Sequence, residues 1–459
     1  MREAHPIDGA MPGFEQLVED PVTDAERLHV AGSCMDDLGL TMPALVDGVD
    51  DAVCRAYGGW PDRLYLVGKD GRIAYAGAEG PRGFDVEGWG KAIAAERAKL
   101  RAGSVPAPTP TDLDGLLEPL RTQFDLPALG AAIVSGGTLV ALGTTGVRAR
   151  GSDVAVEDTD LWHLGSCTKA MTATLAARLV EQGKLQWDST VGALLPEVAM
   201  HEDWRPVRLD WLLQHRGGMA TQPPRALWQE LWERDEPPQA ARAWFVGKLL
   251  QAKPDVAPGT KAVYSNQGFN LAGVMLEAAA GGTAWEQLMR EHVFTPLGMA
   301  SAGFGAAGSA TRIDQPRGHR DDGRTAVAPG KGADNPASIG PAGTVHASLA
   351  DWARFVALHL RGARGDKGLL LQPESFLRLH TAAEGSTFAM GWVTAQRPWA
   401  GGRTLTHNGS NTMNFCTVWV APGRDHAFLV VTNAAGSAAQ QATNRAVGAM
   451  VRMRGLGAR

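Results

Sequence analysis

Gly165-Ser166-Cys167-Thr168-Lys169 places a serine three residues ahead of a lysine, an arrangement that occurs once among the 459 residues. Residues three apart lie on one face of a helix, so the lysine amine can reach the serine hydroxyl. When neutral, that amine can accept the hydroxyl proton and make a weak nucleophile reactive. We therefore interpret Ser166 as a nucleophile and Lys169 as its base.

The residues after the nucleophile predict a buried helix. Ala170 to Gln182 carries apolar residues at helical spacing, and the pattern stops at Gly183. Glycine often ends helices because it adopts the left-handed conformation without strain. Ser166 is therefore expected at the positive N-terminal end of this helix.

Two further patterns follow downstream. Tyr264-Ser265-Asn266 is the one place where a tyrosine is followed two residues later by asparagine. His407-Asn408-Gly409 comes after Arg403-Thr404-Leu405-Thr406, a segment suited to a strand edge, and Gly409 would let a ligand approach the backbone closely. The four-residue motif alone is weak evidence because it recurs by chance, but three ordered motifs are much stronger.

These motifs resemble those of the β-lactamase and penicillin-binding-protein superfamily of serine hydrolases, in the branch of class C β-lactamases, DD-peptidases and family VIII esterases. That family's pattern is Ser-x-x-Lys, then Tyr-x-Asn, then a Lys/His/Trp-x-Gly strand. Pro258-Gly259-Thr260, Phe294 to Met299 and Gly340-Pro341-Ala342-Gly343 also resemble family landmarks. The resemblance covers about residues 111–459 and implies an α/β (α+β) fold, with an antiparallel sheet flanked by helices and a helical subdomain.

The resemblance also implies a role for each site residue. Ser166 is acylated, Lys169 takes its proton, and Tyr264 acts as a second base that passes the proton to the leaving group and activates water. Asn266 holds the lysine amine or the acyl part of the substrate. The backbone amides of Ser166 and Ser410 bind the oxyanion of the tetrahedral intermediate.

His407 and Gly409 are assigned to substrate binding, and His407 bears on the substrate class. Many β-lactamases place lysine at this position, where a permanent cation reads the antibiotic's carboxylate, whereas histidine is mostly neutral near pH 7. An esterase acting on small acyl esters is therefore the preferred function. A β-lactamase or a D-amino-acid peptidase of the DD-carboxypeptidase type is the alternative. Two further alternatives are a thiol redox protein and an acyl-ligand sensor without turnover.

The other histidines near the motifs are interpreted as structural. His215 follows Leu212-Leu213-Gln214 and marks a helix end, and the same interpretation applies to His163, His319 and His346. No grouping of His, Cys, Asp and Glu has metal-ligand spacing. The sequence therefore predicts neither a metal nor another cofactor.

Composition limits the partners. The net charge is −5, with 44 Lys and Arg against 49 Asp and Glu, and no basic run indicates nucleic acid binding. The sequence contains no run of 18 apolar residues, which is the length needed to span a membrane. The four cysteines lack Cys-x-x-Cys spacing, which argues against a disulfide framework. A small-molecule ester or amide is the expected partner, and a homo-oligomer is left open.

A proline-rich linker at 102–110 divides the chain into residues 1–101 and a hydrolase domain at 111–459. The hydrolase domain is expected to open with a helix from Thr111 to about Phe124, then a hairpin around Ser135-Gly136-Gly137.

Two stretches within the hydrolase domain carry their own predictions. Residues 222–250 are expected to be helical, with Trp228 and Trp232 on one face packed in the core. Residues 301–340 are rich in Gly, Ala and Pro, which predicts a long loop that shapes the site.

The first hundred residues resemble part of another fold. Leu64 to Val67 and Arg72 to Tyr75 predict a hairpin, and Val86 to Leu100 predicts a helix. With Glu3-Ala4-His5-Pro6, and with Pro61 at the position of a cis-proline, this region resembles the C-terminal two thirds of the iodothyronine-deiodinase-like branch of the thioredoxin fold. It is expected to be a partial thioredoxin-like domain, because that family's redox residue would lie upstream of this sequence.

Two expectations about the N-terminal region follow. Cys34 and Cys54 are expected to be small buried residues rather than redox centres. Met1 to Pro6 lacks the apolar core of a secretory signal, which predicts a cytoplasmic protein as written. A true start further upstream would leave a periplasmic location open.

Overall fold

The computed structural model describes residues 23–37, 50, 52, 56, 65–67, 72–78, 85–102 and 111–456. The chain divides into two compact units, Met1–Pro106 and Ala107–Arg459. Most of the predicted linker lies outside the described residues.

In chain order the helices are α1 (Asp24–Asp37), α2 (Val86–Ala102), α3 (Asp114–Gln123), α4 (Thr168–Glu181), α5 (Val191–Leu194), α6 (Leu209–Leu213), α7 (Arg225–Glu233), α8 (Pro238–Leu250), α9 (Asn266–Ala279), α10 (Trp285–Met289), α11 (Thr295–Leu297), α12 (Gly340–Gly343), α13 (Leu349–Ala363), α14 (Pro373–His380) and α15 (Ser437–Met453). Within the described ranges, none of these helices is both long and apolar enough to cross a membrane.

The strands are β1 (Tyr65–Val67), β2 (Ile73–Ala76), β3 (Thr111–Asp112), β4 (Ala128–Ser135), β5 (Thr138–Gly146), β6 (Leu161–His163), β7 (Gly303–Phe304), β8 (His319–Arg320), β9 (Thr325–Ala326), β10 (Val345–Ser348), β11 (Val393–Arg397), β12 (Gly402–Ser410), β13 (Phe415–Ala421) and β14 (His426–Thr432).

The first unit contains the predicted hairpin and the predicted helix. β1 and β2 pair antiparallel, with Tyr65 opposite Ala76, and α2 extends two residues beyond its predicted end. Glu3-Ala4-His5-Pro6, Cys54 and Pro61 lie outside the described residues. The hairpin and helix are confirmed, and the thioredoxin-like interpretation stays a prediction.

The described part of the second unit is built around a seven-stranded sheet in the order β11-β12-β13-β14-β4-β5-β3. Its neighbours are antiparallel except for β3, which pairs with β5 in parallel. β4 and β5 form the predicted hairpin, with Ser135 opposite Thr138. Gly136 and Gly137 between them have φ angles of +60° and +75°, as a two-residue type I′ turn requires.

Alternate residues of β4 contribute to two hydrophobic cores. Ala128 and Ala132 belong to the larger core, which also holds residues of α4, α9 and α13. Leu129 and Ile133 belong to the smaller core, together with residues of α3 and α15. Successive side chains of a strand point to opposite faces, so the sheet is covered by helices on both sides.

The first helix of the second unit begins later than predicted. Thr111–Asp112 is the short strand β3, and α3 starts at Asp114. The Asp114 amide donates to the Asp112 carboxylate at 2.8 Å, which holds the chain in a turn ahead of the helix.

The region 222–250 is largely helical, as predicted, and forms two helices. α7 ends at Glu233 and α8 begins at Pro238, and the prolines at 237 and 238 explain the break because proline cannot continue a helix from inside. Trp228 and Trp232 pack edge to face with ring centroids 6.2 Å apart, but both rings are only half-buried. Trp228 packs against the larger hydrophobic core, as predicted, whereas Trp232 is not among the residues of that core.

The region 301–340 is more ordered than the predicted long loop. β7 pairs with β10, and β8 pairs with β9. The His319 amide also donates to the Met413 carbonyl at 3.0 Å, which ties the region to the turn after β12.

α4 is the predicted buried helix after Ser166. Most of its side chains are buried, and Gly183 beyond its end has a φ of +70°. The turn Gly165–Cys167 at its start contacts β12, β13 and α12. The segment predicted as a strand edge lies instead in β12, second in the sheet, because β11 covers Gly402–Thr406.

Candidate active site

The turn Gly165–Cys167 places Ser166 at the start of α4. Gly165 has a φ of +46°, and a Cβ on it would lie 2.4 Å from the Ser410 amide nitrogen. Glycine is therefore required on both conformational and steric grounds. Ser166 is half-buried.

Ser166 Oγ is contacted by the two predicted bases. Lys169 Nζ lies 3.0 Å from it, and Tyr264 Oη donates a hydrogen bond to it at 2.7 Å. Tyr264 comes from the segment just before α9, 98 residues further along the chain. The structure therefore brings the first two motifs together around one hydroxyl.

Lys169 has two further hydrogen-bond partners, both carbonyl oxygens. Its Nζ donates to Asn266 Oδ1 at 2.8 Å and to the Ala342 carbonyl at 2.7 Å. A neutral amine has two N–H groups and one lone pair, and carbonyl oxygens only accept. When the amine is neutral, these two contacts use both N–H groups and leave the lone pair facing Ser166 Oγ.

Burial favours this neutral amine. Lys169 is fully buried, which lowers its pKa from 10.5 to about 7, because the charged form loses its hydration. Electrostatic attraction to the neighbouring Cys167 acts in the opposite direction and is smaller. A lysine with such a pKa can act as a base near neutral pH.

The pKa of Tyr264 is shifted in the opposite direction. Burial raises its pKa to about 12, against the smaller opposing effect of its hydrogen bond to Ser166. The phenol is therefore protonated at neutral pH and donates to Ser166. Its ring packs near His215 and Phe388, with centroid distances of 4.5 and 6.1 Å.

The third motif lies at the end of β12. Within the described chain β11 pairs only as far as Thr406, so the next four residues have no strand partner on that side. Gly409 has no space for a side chain, since a Cβ would lie 2.0 Å from the Leu164 carbonyl oxygen. Ser410 is exposed, and its amide nitrogen lies next to Gly165.

The His407 side chain is less exposed than the substrate-binding prediction implies. Its side chain is only 6% exposed, and its Nδ1 donates to the Asn408 carbonyl at 2.6 Å. Its ring lies 6.3 Å from that of Tyr264. The structure thus places His407 near Tyr264, and its contact with a substrate stays a prediction.

Three histidines predicted to be structural bond to backbone groups. His215 follows α6 with a φ of +60°, and its Nδ1 accepts from the Ser265 amide at 3.1 Å. Burial holds the pKa of His215 well below its usual value, and electrostatic interactions with the nearby Lys169 and His407 lower this pKa further. His319 Nδ1 donates to the Asn433 carbonyl, and His346 Nδ1 to the Gly305 carbonyl.

Two contributors to the site were not assigned a role from the sequence. The first is the Ala342 carbonyl, which lies in the Gly340–Gly343 landmark but has no side-chain signature. The second is Asp334, which bonds to His163, and His163 in turn accepts from the Gly165 amide in the turn that carries Ser166. A single aspartate in a Gly/Ala/Pro-rich stretch offers no local signal that could have identified it.

The described residues contain no group of three or more His, Cys, Asp or Glu side chains arranged to hold a metal ion.

The comparison with known proteins agrees with this fold. The family model described as Beta-lactamase matches residues 113–450, about three quarters of the chain, and the chain therefore belongs to the β-lactamase family of serine hydrolases. Penicillin-binding protein 4 from Amycolatopsis lactamdurans is 30% identical over 325 residues, which covers 68% of this chain and 82% of that protein.

Two other similarities are lower in identity or coverage. The lovastatin esterase of Penicillium rubens is 28% identical over 163 residues, 32% of this chain and 40% of that enzyme. The solved structure of the octameric penicillin-binding protein homologue from Pyrococcus abyssi covers 74% of this chain and 76% of its own, with 19% identity and a TM-score of 0.59. That structure supports the fold alone.

The family match begins at residue 113. It does not extend to the first hundred residues, so their resemblance to the deiodinase-like branch is not supported by it.

Proposed function

We propose that the protein hydrolyses small, neutral acyl esters through an acyl-enzyme on Ser166. One observation carries the proposal. Ser166 Oγ is contacted both by Lys169, whose lowered pKa favours the neutral amine, and by the protonated Tyr264, at 3.0 and 2.7 Å. This is the arrangement that a nucleophile needs if its proton is to be removed on one side and a leaving group protonated on the other.

Acylation starts with neutral Lys169. Its lone pair takes the proton from Ser166 as Oγ bonds to the ester carbonyl carbon. The ester C–O bond then breaks, and the leaving alkoxide receives a proton by way of Tyr264, which Lys169 replenishes. The products of this half-reaction are the alcohol, the acylated serine and a neutral lysine.

Deacylation repeats these steps with water. A base of the same Lys169 and Tyr264 pair takes a proton from water as the water oxygen attacks the acyl carbon. The bond between the acyl carbon and Ser166 Oγ then breaks, the proton is returned to Oγ, and the carboxylic acid is released. In both half-reactions the oxyanion would be bound by the Ser166 and Ser410 amides.

The charge around the site supports a neutral substrate. Among the described contacts of Ser166, Tyr264, Asn266 and His407, the only Lys or Arg is Lys169 itself. A fixed cation for a substrate carboxylate is thus missing from these contacts. The similarity to a lovastatin esterase gives the ester class further support.

A β-lactamase or a D-amino-acid peptidase is the second candidate. The 30% identity to a protein named penicillin-binding protein 4 favours it, over a larger part of the chain than the esterase similarity. All of these reactions use an acyl-enzyme, so the site chemistry alone does not separate them.

A substrate panel separates the candidates. The full chain and Ser166→Ala would be assayed with short p-nitrophenyl esters, a cephalosporin and a D-Ala-D-Ala peptide. We expect turnover of the esters that is lost in the variant and exceeds the turnover of the other two substrates. Faster turnover of the cephalosporin or the peptide would replace the ester assignment. A burst without steady turnover would identify an acyl-binding sensor instead.

A further inference from the structure

Asp334 joins two parts of the site that are far apart in the sequence. Its Oδ2 accepts a hydrogen bond from His163 at 2.7 Å, and its Oδ1 accepts one from Asn411 at 3.0 Å. His163 stands two residues before Gly165, and Asn411 directly follows Ser410. The three side chains are buried. Asp334, His163 and Asn411 together form what we call the Asp334 bridge.

On the nucleophile side the bridge reaches the backbone. The Gly165 N–H donates to His163 Nδ1 at 3.1 Å, so this nitrogen carries no proton. The proton of the neutral ring therefore sits on Nε2, where it is donated to Asp334. A chain of two hydrogen bonds thus connects the peptide just ahead of Ser166 to a carboxylate.

On the strand side the bridge holds a strained turn. Asn411 Oδ1 accepts from the amides of Met413 and Asn414, at 3.2 and 2.9 Å. Thr412 has a φ of +71°, which is an outlier for a β-branched residue. Such a conformation persists only where its surroundings fix it. Asn411 fixes this turn, and Asp334 in turn holds Asn411.

The two sides meet at the proposed oxyanion site. Gly165 and Ser410 pack backbone to backbone: a Cβ added to Gly165 would lie 2.4 Å from the Ser410 nitrogen. The two oxygens of one carboxylate are therefore bonded to the two segments that carry the Ser166 and Ser410 amides.

We propose that Asp334 is a positioning residue that, through His163 and Asn411, sets the spacing between the Ser166 and Ser410 amides. The inference rests on the proposed function, since it concerns the oxyanion of that reaction. Oxyanion donors act best at about 2.7–3.1 Å, so a small displacement of either amide weakens binding of the transition state.

Asp334→Asn tests the bridge with little change in shape. His163 and Asn411 bond to different oxygens of the carboxylate, and an amide has an NH2 group in place of one of them, so it cannot accept from both. A change of tautomer would let His163 Nε2 accept from that amide. It would also place a proton on Nδ1 and break the bond to Gly165. Either way one link of the bridge is lost.

The readout is the discrimination between oxygen and sulfur at the carbonyl. We would measure kcat/KM for p-nitrophenyl acetate and for the corresponding thionoester, with active-site concentration determined by titration. Sulfur is larger and accepts hydrogen bonds poorly, so a well-set oxyanion site favours the oxygen ester. We expect Asp334→Asn to lower kcat/KM for the oxygen ester by about 10-fold or more, and for the thionoester by much less.

Two further variants separate positioning from general loosening. Asp314→Asn removes a carboxylate in the same 301–340 region, which accepts from the Ser309 amide at 2.8 Å and has no described contact with the nucleophile turn. It should leave the oxygen-to-sulfur ratio unchanged. His163→Asn keeps an acceptor near Gly165 but is too short to reach Asp334, and should lower the ratio as Asp334→Asn does. The double variant Asp334→Asn, His163→Asn should add little to either single change.

The outcomes are distinct. An unchanged oxygen-to-sulfur ratio in a folded Asp334→Asn overturns the inference while leaving the proposed function intact. An equal fall of the ratio in Asp314→Asn also overturns it. If Asp334→Asn does not fold, His163→Asn gives the same decision. Failure of the unaltered protein to hydrolyse either ester would instead count against the proposed function.

Discussion

At the scale of single residues, the proposed chemistry depends on the protonation state of Lys169. Its ammonium form has no lone pair to offer Ser166, and burial is what makes the neutral form accessible near pH 7. The two carbonyl acceptors at Asn266 and Ala342 orient this neutral form. Activity and stability should therefore both report on the same proton.

The pH profile of kcat/KM should show a limb that belongs to Lys169. Because the reactive form is neutral and the pKa is about 7, kcat/KM for an ester should rise with pH through this region and then level off. Initial rates between pH 5 and 9 with a subsaturating p-nitrophenyl ester would measure it, corrected for spontaneous hydrolysis. A profile that is flat across neutrality would contradict the role of Lys169 as the base.

Replacing Lys169 by methionine should stabilise the fold while it abolishes activity. The folded pKa of about 7 lies below the ordinary 10.5, so between these values the unfolded chain binds more protons. The free energy of unfolding of the unaltered protein therefore rises with pH across that window. The advantage of Lys169→Met should be largest at or below pH 7 and shrink towards pH 10.

Urea unfolding of both proteins at several pH values would measure this difference. Lys248→Met, at an exposed position of α8, is the matched control and should change stability little. A gain for Lys169→Met that does not vary with pH would contradict the explanation.

At the scale of elements, the site depends on the close packing of β12 against the nucleophile turn. At Gly409 and Gly165, on the two sides of this contact, the atom nearest to an added Cβ is a backbone atom, at 2.0 and 2.4 Å. The backbone would therefore have to shift to accept even a methyl group.

Gly409→Ala should lower both activity and stability. Its Cβ would lie 2.0 Å from the Leu164 carbonyl oxygen and 2.8 Å from Cys416 Sγ, so β12 would be pushed away from the nucleophile turn. We expect a loss of about 1–3 kcal/mol in unfolding free energy and a fall of about 10²-fold in kcat/KM, the scale of a lost oxyanion donor.

Gly247→Ala in α8 is the matched control. No atom lies within 4 Å of its added Cβ, and alanine favours helices more than glycine by about 0.5–1 kcal/mol, so stability should rise and activity stay unchanged. Thermal unfolding and ester kinetics would measure both variants. Wild-type activity in Gly409→Ala would show that the packing of β12 does not matter.

Elements with local signals could be predicted from the sequence. The apolar spacing and Gly183 identified α4, and Gly136-Gly137 identified the β4–β5 hairpin, because each signal lies within the element that it describes. Where local hydrogen bonds or prolines compete, boundaries were missed, as at Asp112 and between α7 and α8.

Contacts across the chain could not be predicted in this way. Asp334 is 171 residues from His163, and Ala342 is 173 residues from Lys169. Neither carries a pattern of its own, since an isolated aspartate and a backbone carbonyl occur everywhere. Ser166, Lys169 and Tyr264 could be identified because each belongs to a spaced motif, although the structure was needed to show that they meet.

At the scale of the whole molecule, the residues of the proposed reaction all belong to the second unit. Ser166, Tyr264 and Ser410 lie well inside Ala107–Arg459, and this unit has two hydrophobic cores of its own. A unit of this size has enough interior to fold independently.

A truncated chain that starts at Ala107 should therefore hydrolyse activated esters with kcat/KM close to that of the full chain, since the residues of the proposed reaction all lie in this unit. Circular dichroism and size-exclusion chromatography would first establish that it is folded and not aggregated. A folded, soluble truncated chain without activity would show that the first unit shapes the site.

The most direct test of the central claim is the mass of the protein after reaction with a fluorophosphonate. We expect addition of one phosphonyl group, located on Ser166 by peptide mapping, since this hydroxyl is held between Lys169 and Tyr264. Ser166→Ala should remain unlabelled while keeping its fold. Labelling at another residue, or undiminished labelling of Ser166→Ala, would contradict the account.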